Sequence, residues 1–439
     1  MRALFEALQA AAASHARWER EMAANVFKSK KRLIVLGLLL LPIAVVSIVH
    51  AAPLPAVLGG KETYSPVFFT NTIFIASVLV GLCAGLITGC IGAGGGFIIT
   101  PALMSVGVKG ILAVGTDLFH IFAKAIMGTA VHKKLGNVSV KLAIAFLVGS
   151  GVGSTLGGSL NRALYKMDPV LSDTFINLVY VVLLGFLGIY AMYDFMSLRK
   201  GSANVGAHVG DSAHGREAST KKGGMVATMQ GVKIPPMITF DEDLVPGGKR
   251  ISGVFVAIAG AIVGLAAAIM GVGGGFLTFP IFVYVLGVSS FTTVGTDILQ
   301  IIFTAGWACV TQYAIYGFIF YTLAMGMLVG SLVGIQVGAL TTKVVKGIHI
   351  RGFYAVTILA GFINRLFALP GKLVEMKWIS LPKGVIKAFD TAGFYIFFIV
   401  VGLFAVWVMR EFFGKLGVLR GEAVAPTETT KRAKSAVGG

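Results

Sequence analysis

Ten apolar stretches, each about as long as a membrane is thick, constrain this chain more than any other feature. They are Leu33–Val49, Asn71–Ile91, Ile111–Val131, Val138–Leu160, Thr174–Phe195, Ile251–Met270, Thr296–Ile315, Tyr321–Leu340, Gly352–Leu369 and Ala392–Val408. A helix needs roughly 17–25 mostly apolar residues to cross the hydrocarbon core. With 13% charged residues and a mean hydropathy of +0.86, the chain lacks the polar surface of a soluble domain. We predict an all-α, polytopic transmembrane bundle of about ten full spans.

Two further apolar segments, Gly96–Val106 and Gly275–Leu286, are too short to cross a membrane as full helices. Each of them begins in a run of glycines. Irregular backbone at membrane depth is tolerated only where protein or a water-filled cavity surrounds it. We therefore predict that both segments are short broken or re-entrant helices in the interior of the bundle.

The chain also contains blocks of sequence that occur twice. Three blocks recur in the same order: Gly92–Phe97 as Gly271–Phe276, Val114–Asp117 as Val294–Asp297, and Leu147–Ser150 as Leu328–Ser331. Three matching blocks at nearly constant offsets predict an internal repeat.

The distribution of basic residues predicts that the two repeats have opposite topologies, because loops rich in Lys and Arg stay on the cytoplasmic side. The predicted divisions are a cytoplasmic N-terminal helix (1–32), a first span with an outer loop (33–70), repeat 1 (71–198), a cytoplasmic, largely disordered polar linker (199–250), repeat 2 (251–370), an outer loop with the last span (371–411) and a cytoplasmic tail (412–439). Loop Gly371–Lys387 fits this scheme least well, since it carries four lysines on the predicted outer side.

Several function classes are excluded by composition. The basic residues behind the net charge of +18 lie in loops beside the spans, so they indicate how the chain is oriented in the membrane. We therefore predict no nucleic-acid partner. The three cysteines form no CxxC pair, and no histidines cluster, so neither a disulfide framework, a metal site nor a cofactor is predicted. We find no HExxH motif and no nucleophile with its base, so we predict no catalytic residues and no enzyme.

Paired helix breaks in inverted repeats are typical of a transporter site near the bilayer midplane. Each glycine motif would expose unpaired N–H groups and the positive end of a helix dipole, which together favour an anion. The candidate substrate-binding residues are Gly92, Gly94, Gly95, Gly96, Phe97, Gly271, Gly273, Gly274, Gly275 and Phe276. The alternative is that the glycines serve only close helix packing, since their spacing is also GxxxG.

Polar residues also line one face of the helix that follows each motif. In the first half they are Asp117, His120, Lys124 and His132; the equivalents in the second half are Asp297, Gln300, Thr304 and Gln312. Ionisable residues inside spans are costly and indicate function. We predict substrate-binding roles for Lys124, Gln300 and Thr304, and proton coupling for Asp117, His120 and Asp297.

Simpler interpretations exist for three of these polar residues, Asp117, Asp297 and His132, and for Arg365. Asp117 and Asp297 each follow Gly-Thr, so helix capping by the threonine with a carboxylate favoured by the dipole is an equal alternative. His132 adjoins two lysines and is expected at a solvated loop end. Arg365 is expected to extend its side chain to the membrane interface.

The motif pair Gly92–Pro101 and Gly271–Pro280, each followed by a Gly-Thr-containing helix and a Gly-rich hairpin, resembles the TauE/SafE family of sulfite exporters. The resemblance covers about Asn71–Val408. It implies a bacterial inner-membrane carrier for sulfite or sulfonates, with the paired glycine motifs at the substrate site. The chain departs from the family pattern in its long N-terminus and linker, and in carrying Asp117 and Asp297 where an uncharged residue is expected.

We therefore predict a multi-pass secondary transporter with both termini in the cytoplasm. Its partner is a small inorganic or organosulfur anion, exported by alternating access as the halves rock against each other. An anion channel and a non-transporting membrane scaffold are the alternatives. The sequence leaves the oligomeric state open.

Overall fold

The structure is a computed structural model that describes residues 56–60, 71–91, 95–135, 139–201, 229–232, 234–241, 248–341, 344–345 and 347–415. Nearly all of them belong to one compact unit, Val57–Phe413. The first predicted span, Leu33–Val49, lies outside the described residues, as does the N-terminal helix predicted for 1–32.

The described part of the chain is almost entirely helical. Its helices are α1 (Asn71–Ile91), α2 (Gly96–Ser105), α3 (Gly110–Leu135), α4 (Val140–Met167), α5 (Pro169–Gly201), α6 (Gly253–Met270), α7 (Gly275–Pro280), α8 (Ser290–Ala308), α9 (Tyr321–Thr341), α10 (Gly347–Glu375) and α11 (Lys383–Gly414). A π-helical turn, Ile281–Val285, continues α7, and another, Cys309–Tyr313, continues α8. Nine of the ten predicted spans coincide with helices, so the all-α polytopic fold is confirmed.

Among the described residues, seven helical segments are long and apolar enough to cross a membrane, judged by length and composition. They lie in α4, α5, α6, α8, α9, α10 and α11, while α1 contains a shorter apolar helix, Phe74–Cys90. At 26 residues, α3 is about 39 Å long and is also long enough to span. The predicted short segments appear as α2 and as α7 with its π-helical turn.

Glycines bring α4 and α6 into backbone contact. A Cβ atom on Gly149 would lie 1.7 Å from the Ala257 carbonyl oxygen, and one on Gly153 would lie 2.0 Å from that of Ala261. The contacts advance in the same direction along both helices, so α4 and α6 run parallel. The first helix of repeat 2 therefore packs against the fourth helix of repeat 1.

The same arrangement is found between α1 and α9. A Cβ atom on Gly81 would lie 2.1 Å from the Met327 carbonyl oxygen, and one on Gly85 would lie 2.5 Å from that of Ser331. These helices also run parallel. Each repeat thus packs its first helix against the fourth helix of the other, as a pseudo-two-fold relation requires.

Helices at equivalent positions in the two repeats run in opposite directions. Along α5 and α10, Gly185 contacts Phe362 while Gly352 contacts Phe195, so the contacts advance in opposite senses. Along α3 and α8, Phe122 contacts Gly306, whereas earlier in α3 Gly115 contacts Tyr313, which follows α8. The two repeats therefore have inverted orientations, which confirms this part of the fold prediction.

Part of the predicted polar linker, 199–250, lies within the described residues and carries regular structure. Strand β1 (Met237–Phe240) pairs antiparallel with β2 (Lys249–Ser252) in a hairpin that leads into α6. Asp241, at the end of β1, accepts hydrogen bonds from the Ser289 amide at 2.9 Å and the Ser289 hydroxyl at 2.7 Å. These bonds attach the hairpin to the start of α8, which the composition of the linker did not reveal.

The backbone contact between α4 and α6 predicts a position-specific effect of alanine. Gly149→Ala would overpack the contact and lower stability by about 1–3 kcal/mol. Gly151→Ala, in the same helix, is the matched control, because a Cβ atom there would meet nothing within 4 Å. We expect thermal unfolding in detergent to show a lower midpoint for Gly149→Ala and an unchanged or higher one for Gly151→Ala. Equal midpoints would contradict the assigned contact.

Candidate functional site

Both helix breaks depend on glycines with left-handed backbone angles. Gly95, which precedes α2, has φ 73°, and Gly274, which precedes α7, has φ 91°. Gly271 and Gly273 have φ 79° and 67°. Residues with a Cβ atom rarely adopt these angles, so the glycine runs locally determine where each helix breaks.

The two breaks meet in the interior of the bundle. A Cβ atom on Gly96 would lie 2.7 Å from the Cα atom of Val272 in the second motif. The rings of Phe97 and Phe276, one residue into each short helix, have centroids 6.4 Å apart. Both phenylalanines are buried. The short helices α2 and α7 therefore begin at one central place, as the repeat predicts.

Several motif glycines are packed tightly against protein. A Cβ atom on Gly273 would lie 2.6 Å from Ile121 Cγ2, and one on Gly274 would lie 2.7 Å from Val263 Cγ1. A Cβ atom on Gly271 would lie 2.8 Å from the Cα atom of Val114 in α3. Close packing therefore accounts for the lack of side chains at these positions.

Gly95 differs, because its neighbours are polar. A Cβ atom there would lie 2.5 Å from the Thr88 hydroxyl and 3.6 Å from Lys124 Nζ. The ammonium of Lys124 donates to Thr88 Oγ1 at 3.2 Å, and the residue is only 5% exposed. A buried cation thus stands beside the first break. Gly92 and Gly94 lie outside the described residues.

Asp117 and His120 form a buried pair one turn before Lys124. Thr100 Oγ1 donates to Asp117 Oδ2 at 2.9 Å, and His120 Nε2 lies 2.8 Å from Ser331 Oγ. The remaining polar atoms, Asp117 Oδ1 and His120 Nδ1, are 3.7 Å apart. Both are buried without a hydrogen-bond partner among the described residues. The separation is too long for a hydrogen bond, but a proton on His120 Nδ1 would be attracted by the Asp117 carboxylate across it.

The equivalent stripe on α8 is more completely hydrogen bonded. Gln300 Nε2 donates to Asp297 Oδ1 at 2.7 Å and to Thr278 Oγ1 at 3.3 Å. Thr304 Oγ1 donates to Gln300 Oε1 at 2.8 Å and lies 2.8 Å from Ser150 Oγ. The second half therefore holds one ionisable group in this stripe, within an amide and hydroxyl network.

The capping interpretation of the two aspartates is wrong. Helix α3 begins at Gly110 and α8 at Ser290, so Asp117 and Asp297 lie well inside helices. The Gly-Thr pattern therefore does not mark a helix start. In the second repeat the start of α8 is capped by Ser289 instead.

The threonines before these aspartates have a different, reciprocal role. Thr116 Oγ1 accepts from the Phe320 amide at 2.9 Å, and Thr296 Oγ1 accepts from the Ser139 amide at 3.0 Å. Each amide immediately precedes the fourth helix of the other repeat. The third helix of each repeat thus satisfies an open helix start in the other.

Two other polar predictions have different outcomes. Nothing is described of the side chain of His132, whereas Gln312 is buried and its Oε1 accepts from Arg162 at 2.6 Å. Arg365 was expected at the interface, but it is 3% exposed and bonds to Asn364, so that prediction is wrong. Among the described residues, no three His, Cys, Asp or Glu side chains are grouped to hold a metal ion.

Sequence reasoning missed the hydroxyl groups that surround the site. They are Thr88, Thr100, Ser150, Thr278 and Ser331. Ser150 and Ser331 had a detectable signal, since each ends the third repeated block. The threonines lie in apolar runs and carry no such signal.

Comparison with known proteins then identifies the family. The sequence pattern of the family described as Sulfite exporter TauE/SafE matches residues 77–365, well over half of the chain. The chain belongs to the TauE/SafE family. The resemblance in the glycine motifs is therefore confirmed.

Curated relatives agree with this assignment. Probable membrane transporter protein YjnA of Bacillus subtilis is 22% identical over 273 residues, which cover 60% of this chain and 89% of the relative. YunE of B. subtilis and MJ0441 of Methanocaldococcus jannaschii, also named probable membrane transporter proteins, are 33% and 34% identical over 97 and 91 residues. Those matches span only 36% and 33% of the two relatives. No solved structure matches.

As a TauE/SafE member with seven apolar candidate spans, the chain is a multi-pass membrane transporter, and not an enzyme. The central breaks and the polar stripes on α3 and α8 form its candidate functional site.

The hydrogen bond to Asp117 predicts a stability effect of its donor. Thr100→Val keeps the shape of the side chain but leaves the buried carboxyl with one partner fewer, at a cost of about 1–3 kcal/mol. Thr357→Val is the matched control, because that buried hydroxyl bonds only to the Phe353 carbonyl of its own helix, at 2.7 Å. We expect a lower midpoint of thermal unfolding for Thr100→Val than for Thr357→Val. The reverse order would contradict this account of Asp117.

Proposed function

We propose that this TauE/SafE transporter exports small sulfur-containing anions, such as sulfite or sulfonates, by alternating access at the paired helix breaks. The family description and the inverted repeat support this proposal. The bacterial inner membrane, with both termini in the cytoplasm, is the proposed location.

The observation that carries the proposal is the environment of Gly95. At this position the N-terminal end of α2 lies close to the buried ammonium of Lys124, whose Nζ is 3.6 Å from where a Cβ atom on Gly95 would lie. The helix dipole and the open first-turn amides add partial positive charge. Fixed and partial positive charges together favour a small anion in a place that excludes most water.

The second break complements this arrangement without adding a cation. Gln300 and Thr304 present amide and hydroxyl groups near α7, within the network that includes Asp297. These donors are used within the network, so an oxyanion would have to exchange with one of these bonds. Neutral donors hold an oxyanion less tightly than a second lysine would, which suits a carrier that must release its substrate.

Proton coupling is assigned to the first half. Asp117 and His120 are fully buried, and their unpartnered atoms lie 3.7 Å apart, among the described residues. Protonation of this pair changes the charge next to Lys124 and therefore the affinity for an anion. Asp297 is a second candidate, although its bond to Gln300 ties it to the local network.

Export is the proposed direction because the potential across a bacterial membrane is negative inside. Moving one negative charge outward through 100 mV yields about 2.3 kcal/mol. The potential alone thus favours the exit of an anion produced in the cytoplasm.

The Gly95 site predicts a loss of transport when its space is filled. In proteoliposomes we expect Gly95→Ala to reduce saturable sulfite or sulfoacetate uptake at least about tenfold, because its Cβ atom displaces Thr88 and approaches Lys124. Gly107→Ala is the matched control, since Gly107 also has positive φ, 93°, but a Cβ atom there meets nothing within 4 Å.

Both variants place alanine at a positive φ, so the backbone strain is similar in the two. A difference in transport between them therefore reflects the surroundings of Gly95. If Gly95→Ala folds and transports as well as Gly107→Ala, the glycine serves only packing and the proposed site is wrong. Absence of saturable anion transport by the wild type would overturn the proposed function itself.

A second prediction separates a coupled carrier from an anion channel. We expect Asp117→Asn to abolish uptake driven by a pH gradient while leaving exchange of labelled for unlabelled anion intact, because exchange requires no change in protonation. The measurement is counterflow in proteoliposomes loaded with unlabelled sulfite. Fast flux without counterflow would instead favour a channel, and unaltered pH-driven uptake by Asp117→Asn would remove Asp117 from the coupling step.

A further inference from the structure

Arg365 is a buried cation that the proposed central site does not use. It lies on α10 and is 3% exposed. Its Nε donates to Asn364 Oδ1 at 2.8 Å, and one terminal nitrogen donates to Asn364 Oδ1 at 2.6 Å and to the Ser105 hydroxyl. The Arg365 carbonyl accepts from Asn177 Nδ2 at 3.0 Å. The guanidinium is thus held in place by neutral groups.

Two carboxyl groups, those of Asp173 and Asp390, lie near Arg365 without contacting it directly. Asp173 accepts from the Gly110 amide at 2.8 Å and lies 3.7 Å from Lys372 Nζ. Asp390 is exposed and acts on the guanidinium and on Lys372 only at longer range. No ion pair within 4.0 Å joins Arg365 to an acid in the described ranges. The charge of Arg365 is therefore offset by acids only at longer range, from Asp173 and Asp390, and the groups in direct contact with the guanidinium are neutral.

The position of Arg365 relates it to the central site. Its partner Ser105 is the last residue of α2, whose first residue, Gly96, stands at the central break. The 10 residues of α2 rise about 15 Å, half the thickness of the hydrocarbon core. Arg365 therefore lies between the central break and one face of the membrane.

The corresponding place in the other repeat is different. Beyond the π-helical turn that follows α7, Lys249 Nζ donates to the Gly287 carbonyl at 3.3 Å. That lysine is 40% exposed at its side chain and lies 4.0 Å from the carboxylate of Asp241. The second repeat thus has a solvated cation 4.0 Å from a carboxylate. Arg365 is a buried cation whose direct hydrogen-bond partners are neutral.

We infer that Arg365, together with Ser105, forms a second anion-binding station between the central site and one face of the membrane. The inference rests on the proposed function, because its ligand is the same class of small oxyanion. A guanidinium binds two oxygens of a sulfite, sulfonate or carboxylate through paired N–H donors. In the absence of the anion, the neutral oxygens of Asn364 and Ser105 hold the guanidinium in place. They are weaker hydrogen-bond acceptors than an oxyanion.

A structural role is the competing explanation, since a cation near Ser105 also stabilises the C-terminal end of the α2 dipole. The two roles differ in sidedness. A station on one side of the central site affects the apparent affinity measured from that side, whereas a structural role lowers stability without favouring either face.

The test measures sulfite transport in proteoliposomes, with the KM determined from each face of the membrane. Loss of a charged hydrogen bond costs about 1.5–3 kcal/mol, so we expect Arg365→Gln to raise the KM from one face about tenfold or more. Arg365→Lys keeps the charge but loses the fork, and we expect a smaller rise on the same face. Lys372→Gln, on the same helix with its cation paired to Asp173 and Glu375, is the control and should change the KM less than twofold.

Equal KM values for wild type and Arg365→Gln from both faces, or equal rises on both, would overturn the station. If Arg365→Gln does not fold, Arg365→Lys and Ser105→Ala decide: an unchanged KM in both rejects the inference. Failure of the wild type to transport sulfite, sulfoacetate or sulfate would instead reject the proposed function. A normal wild type with unaffected Arg365 variants rejects only the station.

Discussion

A helix that breaks inside a membrane protein must find partners for the backbone groups that the break leaves open, and the centre of this transporter is built around that requirement. At the end of α6, the Ile269 carbonyl accepts from Asn161 Nδ2 at 3.0 Å. The Ala268 carbonyl accepts from Tyr313, and the Met270 carbonyl from Tyr180. Long polar side chains from α4, α5 and the turn after α8 thus replace the missing helical bonds. The break therefore needs its neighbours, which the inverted repeat places around it.

The fold is nearly symmetric, but its chemistry is not. Thr116 and Thr296 make equivalent bonds to the opposite repeat, at 2.9 and 3.0 Å, so the backbone framework is shared. One turn further along each helix the symmetry ends, with His120 in one repeat and Gln300 in the other. Ionisable groups are concentrated in the first repeat, while the stripe of the second repeat holds only Asp297, within an amide and hydroxyl network, among the described residues. In a carrier of this symmetry, such a difference permits one half to couple to protons while both halves contact substrate.

The predictable features were those that repeat along the sequence. Paired blocks such as Val114–Asp117 and Val294–Asp297 revealed the repeat. The charges of the loops predicted that its two copies have opposite topologies. Both signals exist because the membrane imposes the length of apolar spans and the side on which basic residues remain. Interactions between distant apolar segments left no pattern. Thr100 reaches Asp117 only because α2 folds back on α3, and Arg365 is buried only because Ser105 meets it there. Tertiary packing decides such contacts, so the place of Arg365 near the end of a span predicted the membrane interface for its side chain and not burial.

The interleaving of the repeats determines which bodies can move during alternating access. Rocking of repeat 1 against repeat 2 would shear α1 from α9 and α4 from α6, where glycines such as Gly149 and Gly330 leave backbones in direct contact. Close-packed interfaces of this kind rearrange between discrete states and do not slide continuously. The units most able to move as rigid bodies are therefore the mixed pairs, α1 with α9 and α4 with α6. Side-chain contacts such as the one between Phe97 and Phe276, with centroids 6.4 Å apart, lie between the short helices and can separate at smaller cost. In the proposed alternating access, the central site would then open and close by movement of mixed pairs drawn from both repeats, and not by rocking of the sequence halves.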